Sequence, residues 1–133
     1  MKKALIGFHD QDSVDWREIV GEELAYRGYS VESVDSVDAM LEKMGIAADA
    51  APDASPANAF DLYMMDANLG NKGGADSGPA GRFYAHARAD CEAGRSKFMA
   101  FSEKAECVED AQKKGAPCAY KTEMFDFLET VCL

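Results

Sequence analysis

Five short apolar runs recur along the chain, separated by longer stretches with helical spacing. Lys3 to Phe8 is the first run and predicts a strand. Over about 15 to 27, Trp16, Ile19, Val20 and Leu24 fall on one helical face, with Ser13 or Asp15 as cap and Gly28 as stop. Tyr29 to Val34 alternates, which predicts a strand near a sheet edge. Asp35 or Ser36 opens a second helix to about Met44, with Val37, Met40, Leu41 and Met44 apolar. Residues 45–58, rich in Ala, Pro, Asp and Ser, predict a flexible surface loop inside the same domain.

Phe60 to Met65 predicts the third strand, and Asp66 follows it. A long Gly-rich loop covers 67–78. Pro79 suits the first turn of a helix to about Asp90. Ala80, Phe83, Tyr84 and Ala87 face inward there, and His86 is placed on the helix surface. Lys97 to Phe101 predicts strand four, ending on Ser102. A helix over about 104 to 114 stops at Gly115. Pro117 to Tyr120 predicts strand five, ending on Lys121. The last helix, about 123 to 132, turns Phe125, Leu128, Val131 and Cys132 inward. Strands alternating with helices predict an α/β fold: a five-stranded parallel sheet with helices on both faces.

Composition narrows the function. With 133 residues and 47% hydrophobic content, one domain with one core is expected. No run reaches the length of a membrane span, and the apolar part of MKKALIGF stops too early for a signal peptide. The four cysteines have no metal-like spacing and are expected to be reduced, mostly buried thiols in a cytoplasmic protein. A formal charge of −10 argues against phosphate-backbone binding to nucleic acid and against anionic membranes.

Asp66 poses the chemical question, because an acid ends a strand that reads as fully buried. In parallel α/β sheets, ligands bind beyond the carboxyl ends of the strands. There the chain offers His9, Asp10, Gln11 and Asp12, then Asp66, Ser102 and Lys121. Clustered carboxylates hold a hard cation such as Mg²⁺. A lysine and a hydroxyl can hold phosphoryl oxygens, and an aspartate can act as nucleophile. Taken singly, Asp66 also suits a turn, Asp10 and Asp12 suit caps, Ser102 suits a helix cap, and His9 reads as a rim histidine.

FDLYMMDANLG, KFMAFSE and GAPCAYK, in that order and each at a strand end, resemble the receiver domain of two-component response regulators. The resemblance covers nearly the whole chain. It implies a flavodoxin-like (βα)5 receiver fold with strand order 2-1-3-4-5. It implies Asp66 as phospho-acceptor, with Ser102 and Lys121 contacting the phosphoryl group. It also implies Mg²⁺ held by Asp10, Asp12, Asp66 and the Asn68 backbone carbonyl. A sensor histidine kinase or histidine phosphotransfer protein would be the donor in a phosphorelay, and an unknown downstream protein the target. Homodimerisation stays open. No enzymatic activity beyond self-phosphorylation and autodephosphorylation is implied, and the chain reads as a receiver without an output domain.

Four departures stand out. The acid pair after strand one reads HDQD, so either His9-Asp10 or Gln11-Asp12 occupies it. The loop after Asp66 is long. Thr122 replaces the proline that often follows the lysine, so a trans bond is expected. Cys118 replaces the usual switching aromatic. These departures favour an alternative, a degenerate receiver that binds proteins without taking phosphate. A further alternative is a haloacid-dehalogenase-type phosphatase, since DQDSV resembles its nucleophile motif, with Asp10 as nucleophile and Asp12 as acid/base. That alternative leaves Asp66 unexplained.

Overall fold

The computed structural model describes residues 1–9, 15–70, 74 and 76–131, the last by its backbone alone. The strands are β1 (Lys2–Gly7), β2 (Tyr29–Val34), β3 (Leu62–Asp66), β4 (Lys97–Ser102) and β5 (Cys118–Tyr120). The helices are α1 (Trp16–Tyr26), α2 (Val37–Lys43), α3 (Gly78–Glu92), α4 (Ala105–Lys113) and α5 (Met124–Val131). All strand pairs are parallel, in the order β2-β1-β3-β4-β5. The expected fold class and strand order are therefore observed. β2 is an edge strand, as its alternation predicted.

The sheet's two faces carry two cores, and strand periodicity decides which residue joins which. Leu5, Tyr63, Met65, Phe98, Ala100 and Cys118 point to one face, covered by α2, α3 and α4. Ala4, Ile6, Leu62, Met64 and Phe101 point to the other, covered by α1 and α5. β3 is central, and all five of its residues are buried. An apolar run without alternation is what burial on both faces demands. Ser36 caps α2 by accepting from the Ala39 N–H at 3.1 Å, and Asp15 caps α1 by accepting from the Glu18 N–H at 3.2 Å.

Gly7 closes β1 where no side chain fits. A Cβ there would lie 2.6 Å from Met40 Sδ and 2.9 Å from Leu69 Cδ2. The missing side chain lets the loop after β3 pack directly against the end of β1.

Several sequence expectations are corrected. Ile19 is 38% exposed, because α1 buries only the narrow Val20–Leu24 stripe. Phe125 is 45% exposed, whereas Met124 and Leu128 are fully buried. A 3₁₀ turn over Lys121–Glu123 sets the phase of α5 and turns 124 and 128 to the sheet. Val131 is described by backbone only, and Cys132 lies outside the described residues. His86 is 6% exposed rather than on the surface. The 45–58 segment folds over it, and His86 Nδ1–H donates to the Ala54 carbonyl at 2.8 Å. The peptide bond after Lys121 is trans, as expected. Among the described residues no helix is long and apolar enough to cross a membrane.

Burial sets an alkaline limit on stability. It pushes the Tyr63 phenol up from 10.0 to about 12. It pushes the Cys118 thiol up from 9.0 to about 12. The unfolded chain loses these protons first. Stability is therefore full below the unfolded values and falls as pH rises from about 9 toward about 12. Thermal melts should be flat below pH 9, in respect of these groups, and decline above it. Cys118→Ala should flatten that decline. A melting temperature that rises from pH 9 to 11 would contradict the burial of both groups.

Candidate functional site

The residues that follow β1 and β5 meet the last residue of β3, Asp66. The Asp66 side chain is 1% exposed. Its Oδ2 accepts the backbone N–H of His9 at 2.7 Å. The His9 ring lies on the same oxygen, with Nδ1 3.1 Å away. His9 Nε2 in turn accepts the Gly70 N–H at 2.8 Å. An Nε2 that accepts must be unprotonated, so the proton sits on Nδ1 and points at the carboxylate. His9 is thus a neutral donor here, and it links β1, Asp66 and the loop after β3.

Asp66 Oδ1 faces Lys121, whose Nζ is 2.9 Å away and whose side chain is 9% exposed. This contact compensates the charge of Oδ1, and among the described residues Lys121 is its one polar neighbour. A buried carboxylate oxygen faced by an ammonium, with lone pairs to spare, fits a divalent cation or an incoming phosphoryl group.

Ser102 is 4% exposed at the end of β4, one position beyond the residue that pairs with Asp66. Its hydroxyl accepts the Lys104 N–H at 3.0 Å and is turned to the start of α4. Burial raises the nearby Cys107 thiol, and a hydrogen bond from Ser102 opposes that rise. Asn68 donates its side-chain amide to the Gly74 carbonyl at 2.8 Å, which ties the loop back on itself. The loop's far end is fixed to α4, because the Ser77 hydroxyl donates to Asp110 Oδ2 at 2.5 Å. The Ser77 bond first, and the Lys114 ammonium second, hold the Asp110 carboxyl below its ordinary value.

The structure therefore brings Asp66 and Lys121 together and leaves Ser102 nearby but engaged elsewhere. Asp10 and Asp12, predicted as metal ligands, lie outside the described residues. His9 was placed only as a rim residue in the sequence, yet it makes two contacts to Asp66. The usable signal was the count from strand one, which put His9-Asp10 at the acid-pair position. Cys118, buried at 6% exposure, is the small apolar residue expected rather than a switching aromatic.

No family profile matches the chain, and no curated protein matches it significantly. Among solved structures it is similar to a response regulator protein from Burkholderia pseudomallei, determined with a phosphorylated aspartic acid, calcium ion and citrate. The identity is 18% and the TM-score 0.64, over 100% of this chain and 67% of that one. With its strand order and helix placement, the chain has the fold of a response regulator receiver domain.

Proposed function

We propose that the chain is a receiver that accepts a phosphoryl group on Asp66 and switches protein–protein interactions. The observation that supports this most is the buried Asp66 carboxylate at the end of the central strand, paired with Lys121 at 2.9 Å. The donor would be the phosphohistidine of a sensor kinase or a phosphotransfer protein. An Asp66 oxygen attacks phosphorus, the phosphorus–nitrogen bond breaks, and its electron pair leaves with the donor imidazole. Lys121 then follows the added charge onto a phosphoryl oxygen, and Ser102 leaves the Lys104 N–H to donate to another. Release of that N–H would loosen the start of α4. Tyr120 at the end of edge strand β5 and Phe125 at the start of α5, 37% and 45% exposed, are apolar groups a protein target could cover.

A divalent cation, Mg²⁺ by resemblance, would be held by the Asp66 carboxylate, the Asn68 carbonyl and the acids Asp10 and Asp12. When bound, it offsets the repulsion between carboxylate and phosphoryl group. The similar response regulator was determined with a phosphorylated aspartic acid and a calcium ion, which supports this chemistry on the same fold.

His9 favours a second reading. A neutral imidazole stands where two hydrogen-bond donors hold Oδ2, so Asp66 is partly satisfied without phosphate or metal. That is the arrangement of a degenerate receiver that works as a constitutive binding module. Intact-mass spectrometry after incubation with acetyl phosphate and Mg²⁺ separates the readings. The expected result is a gain of one phosphoryl group, absent in Asp66→Asn. No gain in folded protein, together with no response to beryllium fluoride, would favour the binding module.

The ion pair also makes a stability prediction. Lys121→Met leaves Asp66 buried without a counter-charge and should cost ~3 kcal/mol. Asp66→Asn in the same chain should recover most of that loss. Urea denaturation of the single and double variants measures both. A Lys121→Met variant as stable as the parent would show that the pair is not formed.

A further inference from the structure

Away from the residues around Asp66, α2, α3 and the 45–58 segment line a cleft of about 630 Å³. That is the size of a small-molecule site. Leu41, Ile46, Ala50, Pro52 and Ala85 give it apolar walls. Four polar groups reach it: Asp38, Glu42, Arg82 and His86. Two of these are already matched, because Arg82 donates to Asp38 at 2.6 Å. The other two are not. Glu42 has no hydrogen bond or ion pair among the described residues. His86 is 6% exposed and spends Nδ1–H on the Ala54 carbonyl, so its Nε2 keeps an acceptor lone pair, with no hydrogen-bond partner among the described residues.

Both remaining groups are acceptors, the His86 nitrogen buried and the Glu42 carboxylate exposed to solvent. A ligand that engages them supplies donors, and the carboxylate favours positive charge. We propose that this cleft is a second binding site for a small organic cation: an ammonium or amidinium group on an apolar body. The cationic head donates to Glu42, a donor on the same molecule meets His86 Nε2, and the body lies on Leu41, Ile46 and Ala85. The formal charge of −10 favours cations over anions at every approach. Carboxylated and phosphorylated metabolites are disfavoured, because Asp38 and Glu42 line the same cleft and Arg82 is engaged by Asp38.

The site stands independently of phosphoryl transfer and is tested without it. The probe is 2-phenylethylamine, titrated into ¹⁵N-labelled protein, with 3-phenylpropionate as the matched anion. Saturable amide shifts confined to 41–50 and 82–86 are expected with the amine and absent with the carboxylate. Glu42→Gln should weaken amine binding by about tenfold or more, as loss of a charged hydrogen bond does. Ala85→Leu should fill the cleft and abolish the shifts, while the remaining spectrum stays superimposable. Glu42 is exposed, so its variant keeps the test valid if Ala85→Leu disturbs packing. No saturable shift at millimolar amine, equal binding of the carboxylate, or unchanged binding in Glu42→Gln would each overturn the assignment.

Discussion

A carboxylate at the end of a fully buried strand needs a counter-charge within a few ångströms, or the strand cannot end there. Asp66 meets that need with Lys121 from the far end of β5, 55 residues further along the chain by subtraction of their numbers. The pair therefore depends on the whole right half of the sheet: β4 must sit beside β3, and β5 beside β4. Electrostatics at low effective dielectric makes the contact strong. Lys121 neutralises Asp66 at Oδ1 while His9 holds Oδ2, so the carboxylate is held from both sides.

His9 modifies this arrangement. Its backbone N–H and its ring both hold Oδ2, and the other ring nitrogen holds Gly70. The acceptor is thus connected to the loop after β3, and that loop is connected to α4 through Ser77 and Asp110. Under the proposed function, with Cys118 where the resembled family has a switching aromatic, these hydrogen bonds are the ones a switch starting at Asp66 would break and remake.

The sheet was legible because apolar runs without alternation have few alternatives, and because strands that alternate with helices must run parallel. Asp66, Ser102 and Lys121 were legible for the same reason, since parallel strands bring their carboxyl ends to one rim. His9 was not, because the direction of its ring depends on how the chain leaves β1, and no periodicity encodes that. His86 was misplaced because its cover is the 45–58 segment, whose Ala, Pro and Asp content carries no pattern. Phe125 was misplaced because a 3₁₀ turn, invisible in the spacing, advances the phase of α5. Exposure of Ile19 reflects how narrow a stripe α1 buries against a flat sheet face.

Whether the Asp66 site takes a phosphoryl-like ligand is most directly read by titrating beryllium fluoride in Mg²⁺ buffer and following backbone amides. The predicted result is a saturable response that begins at Asp66, His9, Ser102 and Lys121, extends into the loop near Gly70 and the start of α4, and vanishes in Asp66→Asn. A spectrum that stays unchanged in folded protein, or one that responds equally in Asp66→Asn, would contradict a phosphoryl-accepting Asp66.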